Sequence, residues 1–165
     1  MRRAIGISVH TGWAACVVVG GSPLEPEIVA NEIVEVLGDA ERFCYHHAAE
    51  MEPAAARERL AQLKEKAVSQ ARQALSRLMT SEVGVCALVA REGLTRDLAK
   101  VLASHAHIHA AEGCFYRDVF RDACGVPVRI VSPSTLDTTR VGKLARAPWG
   151  RDQKLAALAA WSALV

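Results

Sequence analysis

The sequence lacks several features that would place it in familiar classes. It has no run of about 18 uncharged apolar residues, so a membrane-crossing helix is not expected. It lacks the glycine-rich motifs G-x-x-x-x-G-K-[ST] and G-x-G-x-x-G, which argues against nucleotide hydrolysis. The formal net charge is only +2, with acids and bases interspersed, so the composition indicates neither a nucleic-acid-binding tail nor a membrane surface.

The chain also has no Cys-x-x-Cys pair, and its five cysteines are an odd number. Cys16 and Cys86 lie in apolar, strand-like runs, where a free thiol behaves as a small hydrophobic group. We therefore expect a reducing compartment and no disulfides. Met1-Arg2-Arg3 leads into a strand-like segment without an apolar signal core, so a cytoplasmic protein is expected.

Hydrophobic periodicity predicts an α/β protein. With 165 residues, 51% of them hydrophobic, the chain suits one domain, residues 1–165, with a sizeable core. Apolar runs bounded by glycine and proline predict strands over 4–9, 13–19, 27–37, 83–90 and 127–131, the first two forming a hairpin. Apolar residues at helical spacing predict a long helix beginning near Pro53 and further helices over 94–103, 104–123 and 151–164.

Two of these strands have distinctive patterns. Residues 83–90 are continuously apolar, which is typical of a central strand that is covered on both faces. The alternation in residues 27–37 is imperfect, which predicts a bulge or a twisted edge strand.

The order of elements resembles that of ribonuclease H-like proteins, in particular the branch that contains bacterial Holliday-junction resolvases. Ile5-Gly6-Ile7-Ser8 is similar to the first-strand motif of those enzymes, in which an aspartate follows Gly-Ile. The central strand ends near Glu92, where the family places a glutamate, and the helix beginning Arg151-Asp152 is similar to its alanine-rich last helix. The resemblance implies a five-stranded mixed sheet, antiparallel in its first three strands, with helices on both faces.

The resemblance also implies a nuclease in which three or four acids hold two Mg²⁺ or Mn²⁺ ions. The chain departs from this pattern at Ser8, because a neutral hydroxyl is a poor substitute for a carboxylate that bridges two cations. Asp152 matches a late acid of the family, whereas Lys154 stands about where another is expected. If the protein is a nuclease, we expect a rearranged catalytic cluster of Ser8, Glu92, Glu112 and Asp152, with nearby histidines.

A histidine-rich stretch, residues 104–113, suggests a metal site. On a helix, His105, His109 and Glu112 share one face, and two imidazoles with a carboxylate can bind Zn²⁺ or Mn²⁺. The alternative is a partly solvated helix start, with Glu112 in an internal ion pair. Further ligands are available from a second segment, which holds His46, His47 and Glu50.

Glu112 is flanked by alanines and a glycine, so little bulk separates it from its neighbours. A partly buried carboxylate there needs a partner, for which His109, His46 and Arg117 are candidates. Its role is either structural or that of an acid with a shifted pKa at a functional site.

Strand alternation places Gly6, Ser8 and His10 on one face of the first strand. A Ser–His pair suggests nucleophilic catalysis, but residues two apart on a strand rarely reach the required geometry. No orienting acid is identifiable from the sequence. The alternative is simple polarity at a hairpin turn.

The segment from 140 to 154 is basic and contains Trp149. Such a segment suits a phosphate backbone, although a solvated loop has the same composition. Its cations are Arg140, Lys143, Arg146, Arg151 and Lys154.

Two functions of different classes follow. The first is a nuclease, or a nuclease relic that binds nucleic acid; the second is a non-catalytic module that binds a protein or a small molecule. Convergence of Ser8, Glu92, Glu112 and Asp152 within about 6 Å favours the first function, and their dispersal favours the second. Self-association through the last helix or the third-strand edge is compatible with both.

Overall fold

A five-stranded mixed sheet lies at the centre of the fold. The computed structural model describes residues 3–90, 97–144 and 149–164 and, within them, every side chain except that of Lys143. The strands are β1 (Arg3–His10), β2 (Trp13–Gly21), β3 (Pro26–Glu35), β4 (Val83–Val89) and β5 (Val128–Val131). Their order is β3-β2-β1-β4-β5, with β1, β2 and β3 paired antiparallel and β4 paired parallel to both β1 and β5. The mixed sheet predicted from the sequence is confirmed.

The strand boundaries and irregularities follow from the local sequence. The hairpin between β1 and β2 turns at Gly12, whose φ of +82° is rarely adopted by residues that carry a Cβ. β3 lies at a sheet edge, and its register with β2 shifts between Val18 and Val19, as its imperfect alternation predicted. β4 contributes side chains to the core on both faces of the sheet, which confirms its assignment as a central strand.

Helices cover both faces of this sheet, as predicted. They are α1 (Cys44–Ala48), α2 (Pro53–Leu75), α3 (Leu98–Leu102), α4 (His105–Cys124) and α5 (Arg151–Ser162). Of the helix predicted over 94–103, the structure shows the short α3, which begins after its N-cap Asp97, and residues 94–96 lie outside the described part of the chain. Part of the predicted basic loop is a 3-10 helix, Thr138–Lys143. No helix within the described ranges is long and apolar enough to cross a membrane.

Strand alternation divides the core into two clusters. Ile5 and Ile7 of β1 point to one face, where they pack with α2 and α4. Ala4 points to the other face, where the alanine-rich α5 covers the sheet. Side chains of α4 and α5 therefore lie on opposite sides of the sheet.

Gly6 of β1 allows α5 to approach the sheet unusually closely. A Cβ at this position would lie 1.8 Å from the carbonyl oxygen of Ala156 and 2.9 Å from the backbone nitrogen of Ala160. Asp152, Ala156 and Ala160 are spaced by four residues and so form one stripe along α5. The contact at Gly6 therefore fixes how the first turn of α5, with Asp152, lies against the end of β1.

The cysteines give a simple test of core packing on the face of the sheet opposite α5. Cys16, Cys44, Cys86 and Cys124 are buried free thiols, whereas Cys114 on α4 is partly exposed. Burial raises the pKa of the Cys44 thiol to about 12, which lowers its thiolate fraction at pH 8 by about 1000-fold. We expect the folded protein to react rapidly with one equivalent of a chromogenic thiol reagent, and with the remaining thiols only on unfolding. Cys114→Ser should remove the fast phase and Cys124→Ser should leave it; fast reaction of several thiols would contradict the packing.

Candidate functional site

Ser8, His10 and Asp152 meet at one end of the sheet, and we refer to them as the β1–α5 cluster. The Ser8 hydroxyl donates to Oδ1 of Asp152 at 2.9 Å, and His10 Nε2 donates to the same oxygen at 2.7 Å. Ser8 is only 4% exposed, whereas His10 faces solvent. The cluster thus joins residues 144 positions apart in the chain.

The elements that carry the cluster explain its position. Ser8 lies near the carboxyl end of β1, where it is paired with Val89 at the end of the parallel strand β4. Asp152 lies in the first turn of α5, where the helix dipole favours a negative charge. Gln153 stabilises the same turn, since its Oε1 accepts a hydrogen bond of 2.7 Å from the Gly150 amide.

Asp152 is the acid that could not be assigned to the Ser8–His10 pair from the sequence. The arrangement nevertheless differs from a nucleophilic triad, in which a histidine lies between the serine and the acid. Here the carboxylate lies between the other two groups, so Ser8 donates to Asp152 and not to an imidazole. The histidine therefore does not activate the hydroxyl as a nucleophile.

The cluster also does not fit a pair of magnesium ions. Mg²⁺ prefers oxygen ligands, and the one oxygen of Asp152 that faces the cluster already accepts two hydrogen bonds. Within the described residues, Asp152 belongs to no group of three His, Cys, Asp or Glu residues whose ligand atoms lie within 4.8 Å of one another. Glu92, the remaining predicted acid of this site, lies outside the described residues.

An aromatic stack extends the β1–α5 cluster towards solvent. The rings of His10 and Trp13 lie parallel, with an interplanar angle of 6° and centroids 4.4 Å apart. The two residues are directly paired across the hairpin, which explains their alignment. Arg151 and Lys154 lie in the first turn of α5, next to Asp152.

Among the described residues of the predicted basic segment, Arg140 lies apart from Arg151 and Lys154. The Arg140 guanidinium lies over the ring of Trp161, 4.4 Å from its centroid. Trp161 is nine residues beyond Asp152, or about 14 Å along the helix axis, and its indole Nε1 donates to the Pro23 carbonyl at the far end of β2. Arg140 is thus separated from Arg151. Two further cations, Arg146 and the side chain of Lys143, lie outside the described part of the chain.

A second group of polar side chains lies on the opposite side of the sheet. His46, His105 and His109, the histidine cluster, each offer a ring nitrogen, and these atoms lie within 4.8 Å of one another. His105 and His109 lie one turn apart on α4, with their Nε2 atoms 3.0 Å apart. His46 comes from α1. The residue before it, Tyr45, packs edge-on against Phe115 of α4.

Glu112 contacts this cluster through His46. Its carboxylate is 1% exposed, and Oε1 accepts hydrogen bonds from Nδ1 of His46 at 2.9 Å and from the His46 amide at 3.4 Å. His46 was one of the three partners considered for Glu112. The predicted set of His105, His109 and Glu112 needs correction, because His46 takes the third place in the cluster and Glu112 lies behind it.

The four catalytic candidates therefore do not form one cluster. Ser8 and Asp152 converge, as expected for the first function. Glu112 does not join them, because α4 packs on the opposite face of the sheet from α5. The sequence contained both sets of residues but could not assign them to opposite faces.

The strand order and the helices on both faces define a ribonuclease H-like fold. A structure of Thermus thermophilus RuvC in complex with a Holliday junction substrate is similar to this chain, with a TM-score of 0.57, 16% identity and coverage of 98% of this chain and 92% of that chain. A second Thermus thermophilus RuvC structure has a TM-score of 0.52, 16% identity and coverage of 97% and 92%. A scan against protein-family models and a search of curated proteins each found no match. The structural neighbours are thus RuvC resolvases, and the resemblance is confirmed at the level of the fold.

Proposed function

We propose that the protein binds nucleic acid beside the β1–α5 cluster, at the end of the sheet where β1 and β4 terminate. The observation that carries this proposal is the stacked His10–Trp13 pair next to the cationic first turn of α5. An aromatic stack offers a π-face to an unpaired base, and Arg151 and Lys154 are placed to neutralise phosphates. The similarity to a RuvC structure that contains a Holliday junction substrate supports a nucleic-acid ligand in general.

We propose further that the protein binds nucleic acid but does not cleave it by a two-magnesium mechanism. Ser8 replaces the first-strand aspartate of the resolvases that the sequence resembles, and its hydroxyl proton is directed at Asp152. A cation bound at Oδ1 of Asp152 would have to compete with both Ser8 and His10 for this oxygen. In this proposal, the β1–α5 cluster is the relic of a nuclease site, and the protein retains a surface that binds nucleic acid. We also propose that residues 1–165 act as one cytoplasmic domain.

One observation favours the alternative of a small-molecule-binding module. A cavity of 430 Å³ lies at the opposite end of the sheet, between the β2–β3 turn and the end of α5. This volume lies within the usual range for ligand pockets, and the charged residues in its lining are Glu25 and Arg140, whose guanidinium lies over Trp161. Because the cavity is remote from Asp152, the two functions can be tested separately.

Binding to four-way, duplex and single-stranded DNA, measured by fluorescence anisotropy over a range of salt concentrations, tests the proposal. Arg151→Ala with Lys154→Ala should lower the affinity about tenfold or more and reduce the slope of log K against log salt by about 2, since each lost phosphate contact contributes about 1. Trp13→Ala should weaken binding to single-stranded and four-way DNA more than binding to duplex DNA, since stacking is worth about 1–3 kcal/mol per base.

Arg140→Ala is the matched control, because it removes one positive charge at the far end of the sheet. It should leave the salt dependence unchanged. Equal effects of Arg140→Ala and the α5 variants, or no DNA binding by the unmodified protein, would contradict the proposed surface. Incubation with Mg²⁺ or Mn²⁺ should leave all substrates intact; cleavage that is lost in Asp152→Asn would overturn the non-cleaving mechanism.

A further inference from the structure

The histidine cluster lies on the face of the sheet opposite the proposed nucleic-acid surface, so its function is a separate question. We propose that His46, His105 and His109 bind a zinc ion, that Glu112 positions His46, and that the fourth coordination position faces solvent. This site is independent of the proposed function, and either can fail without the other.

The spacing of the ring nitrogens is close to that of a tetrahedral zinc site. With Zn–N bonds of about 2.0–2.1 Å, neighbouring ligand nitrogens lie about 3.3 Å apart. The Nε2 atoms of His105 and His109 are 3.0 Å apart, and each of the three rings offers one nitrogen that lies within 4.8 Å of those of the other two.

Glu112 supplies the independent observation that points to a ligand. A carboxylate only accepts hydrogen bonds, so Nδ1 of His46 carries a proton, and in the neutral ring Nε2 is then the nitrogen with the free lone pair. Zinc-bound histidines almost always donate their other N–H to a carboxylate, a carbonyl or water, which fixes the ring and raises its basicity. A nearly fully buried Glu112 that accepts from both the ring and the backbone amide of His46 is the same arrangement.

The backbone around His46 is held independently of the ring. The Tyr116 hydroxyl donates to the Arg42 carbonyl at 2.6 Å, which fixes the segment before α1 against α4. Phe43 packs edge-on against the His46 ring, with centroids 5.9 Å apart. Glu112 and Phe43 thus contact His46, whereas His105 and His109 are exposed, so the fourth position of a bound ion opens to solvent.

The chemistry of the ligands favours zinc over the ions of nucleases. Neutral imidazoles suit borderline divalent ions such as Zn²⁺, whereas Mg²⁺ prefers oxygen ligands and retains water. α4 begins at His105, so its dipole opposes a cation there. The buried carboxylate of Glu112 offsets this effect because it lies directly behind His46. An open site of three histidines accepts water or a small anion as its fourth ligand.

Zinc titration of the full chain, followed by calorimetry and metal analysis after dialysis, tests the proposal. The protein should bind one Zn²⁺ per chain and melt at a higher temperature when zinc is present. It should take up Co²⁺ with the visible absorption of a four-coordinate ion, and it should not bind Mg²⁺ at this site. His105→Ala and His109→Ala should each lower zinc affinity by about 100-fold or more, and Glu112→Gln by about 10- to 100-fold.

His107→Ala is the matched control, because His107 lies on the same helix between the two proposed ligands but outside the cluster. It should keep the affinity of the unmodified protein. Equal losses in His107→Ala and His105→Ala, or full affinity in the double variant of His105 and His109, would overturn the site. Because His105 and His109 are both exposed, their alanine variants should remain folded. If Glu112→Gln lowers the stability of the zinc-free protein but not its zinc affinity, Glu112 has only a structural role and its positioning role is overturned.

Discussion

Substitution of Gly6 by alanine is expected to lower the free energy of unfolding by about 3 kcal/mol or more. The added Cβ would lie 1.8 Å from the carbonyl oxygen of Ala156 and 2.9 Å from the amide nitrogen of Ala160. Both contacts are backbone atoms, so no change of rotamer can relieve them, and α5 must move away from β1. The movement would open the alanine-rich cluster and separate Asp152 from Ser8. Equilibrium denaturation in guanidinium chloride measures the loss.

The sign of this effect is diagnostic, because glycine within a strand is ordinarily less stabilising than alanine. Gly113→Ala is the matched control: it lies within α4, and an added Cβ meets no neighbouring group within 4 Å. This substitution should raise the free energy of unfolding by about 0.5–1 kcal/mol. A Gly6→Ala protein as stable as Gly113→Ala would show that α5 does not pack on β1 as described.

The secondary structure was largely predictable because it depends on local patterns. The apolar runs of β1, β2 and β4 end at glycines or polar turns, and α2 carries apolar residues at helical spacing. The bulge in the pairing of β3 also followed from imperfect alternation. Boundaries were accurate to a few residues, and the difference is largest where the chain forms a 3-10 helix at Thr138–Lys143.

The candidate sites were predictable only in part, because they depend on how separate elements pack. Ser8 and Asp152 were each identified, but their contact depends on the close approach of α5 at Gly6. A glycine in an apolar strand, together with alanines spaced by four in the last helix, is the signal that could have predicted this contact. The place of His46 beside His109 depends on the packing of Tyr45 against Phe115, for which the sequence has no comparable signal.

Ser8→Asp is expected to destabilise the protein at neutral pH by about 3 kcal/mol, and the part of this loss that arises from charge should disappear in acid. The introduced carboxylate would be buried next to Asp152, and both the burial and the like charge would raise its pKa above the ordinary value of about 4. Between that value and the raised pKa the folded state binds more protons than the unfolded state, so stability falls as pH rises through this interval. Thermal or denaturant unfolding at a series of pH values measures the effect.

Ser8→Asn is the matched control, since it has nearly the same size as the aspartate substitution but no charge. It should show the steric part of the destabilisation at every pH, without the additional loss towards neutral pH. Mg²⁺ or Mn²⁺ should restore part of the stability of Ser8→Asp, because a cation between two carboxylates offsets their repulsion, and it should not affect Ser8→Asn. This result would indicate that a single residue separates the β1–α5 cluster from a cation-binding site. Parallel pH profiles for the two variants, with no response to either metal, would instead mean that a carboxylate at position 8 does not interact with Asp152 and does not form a cation site with it.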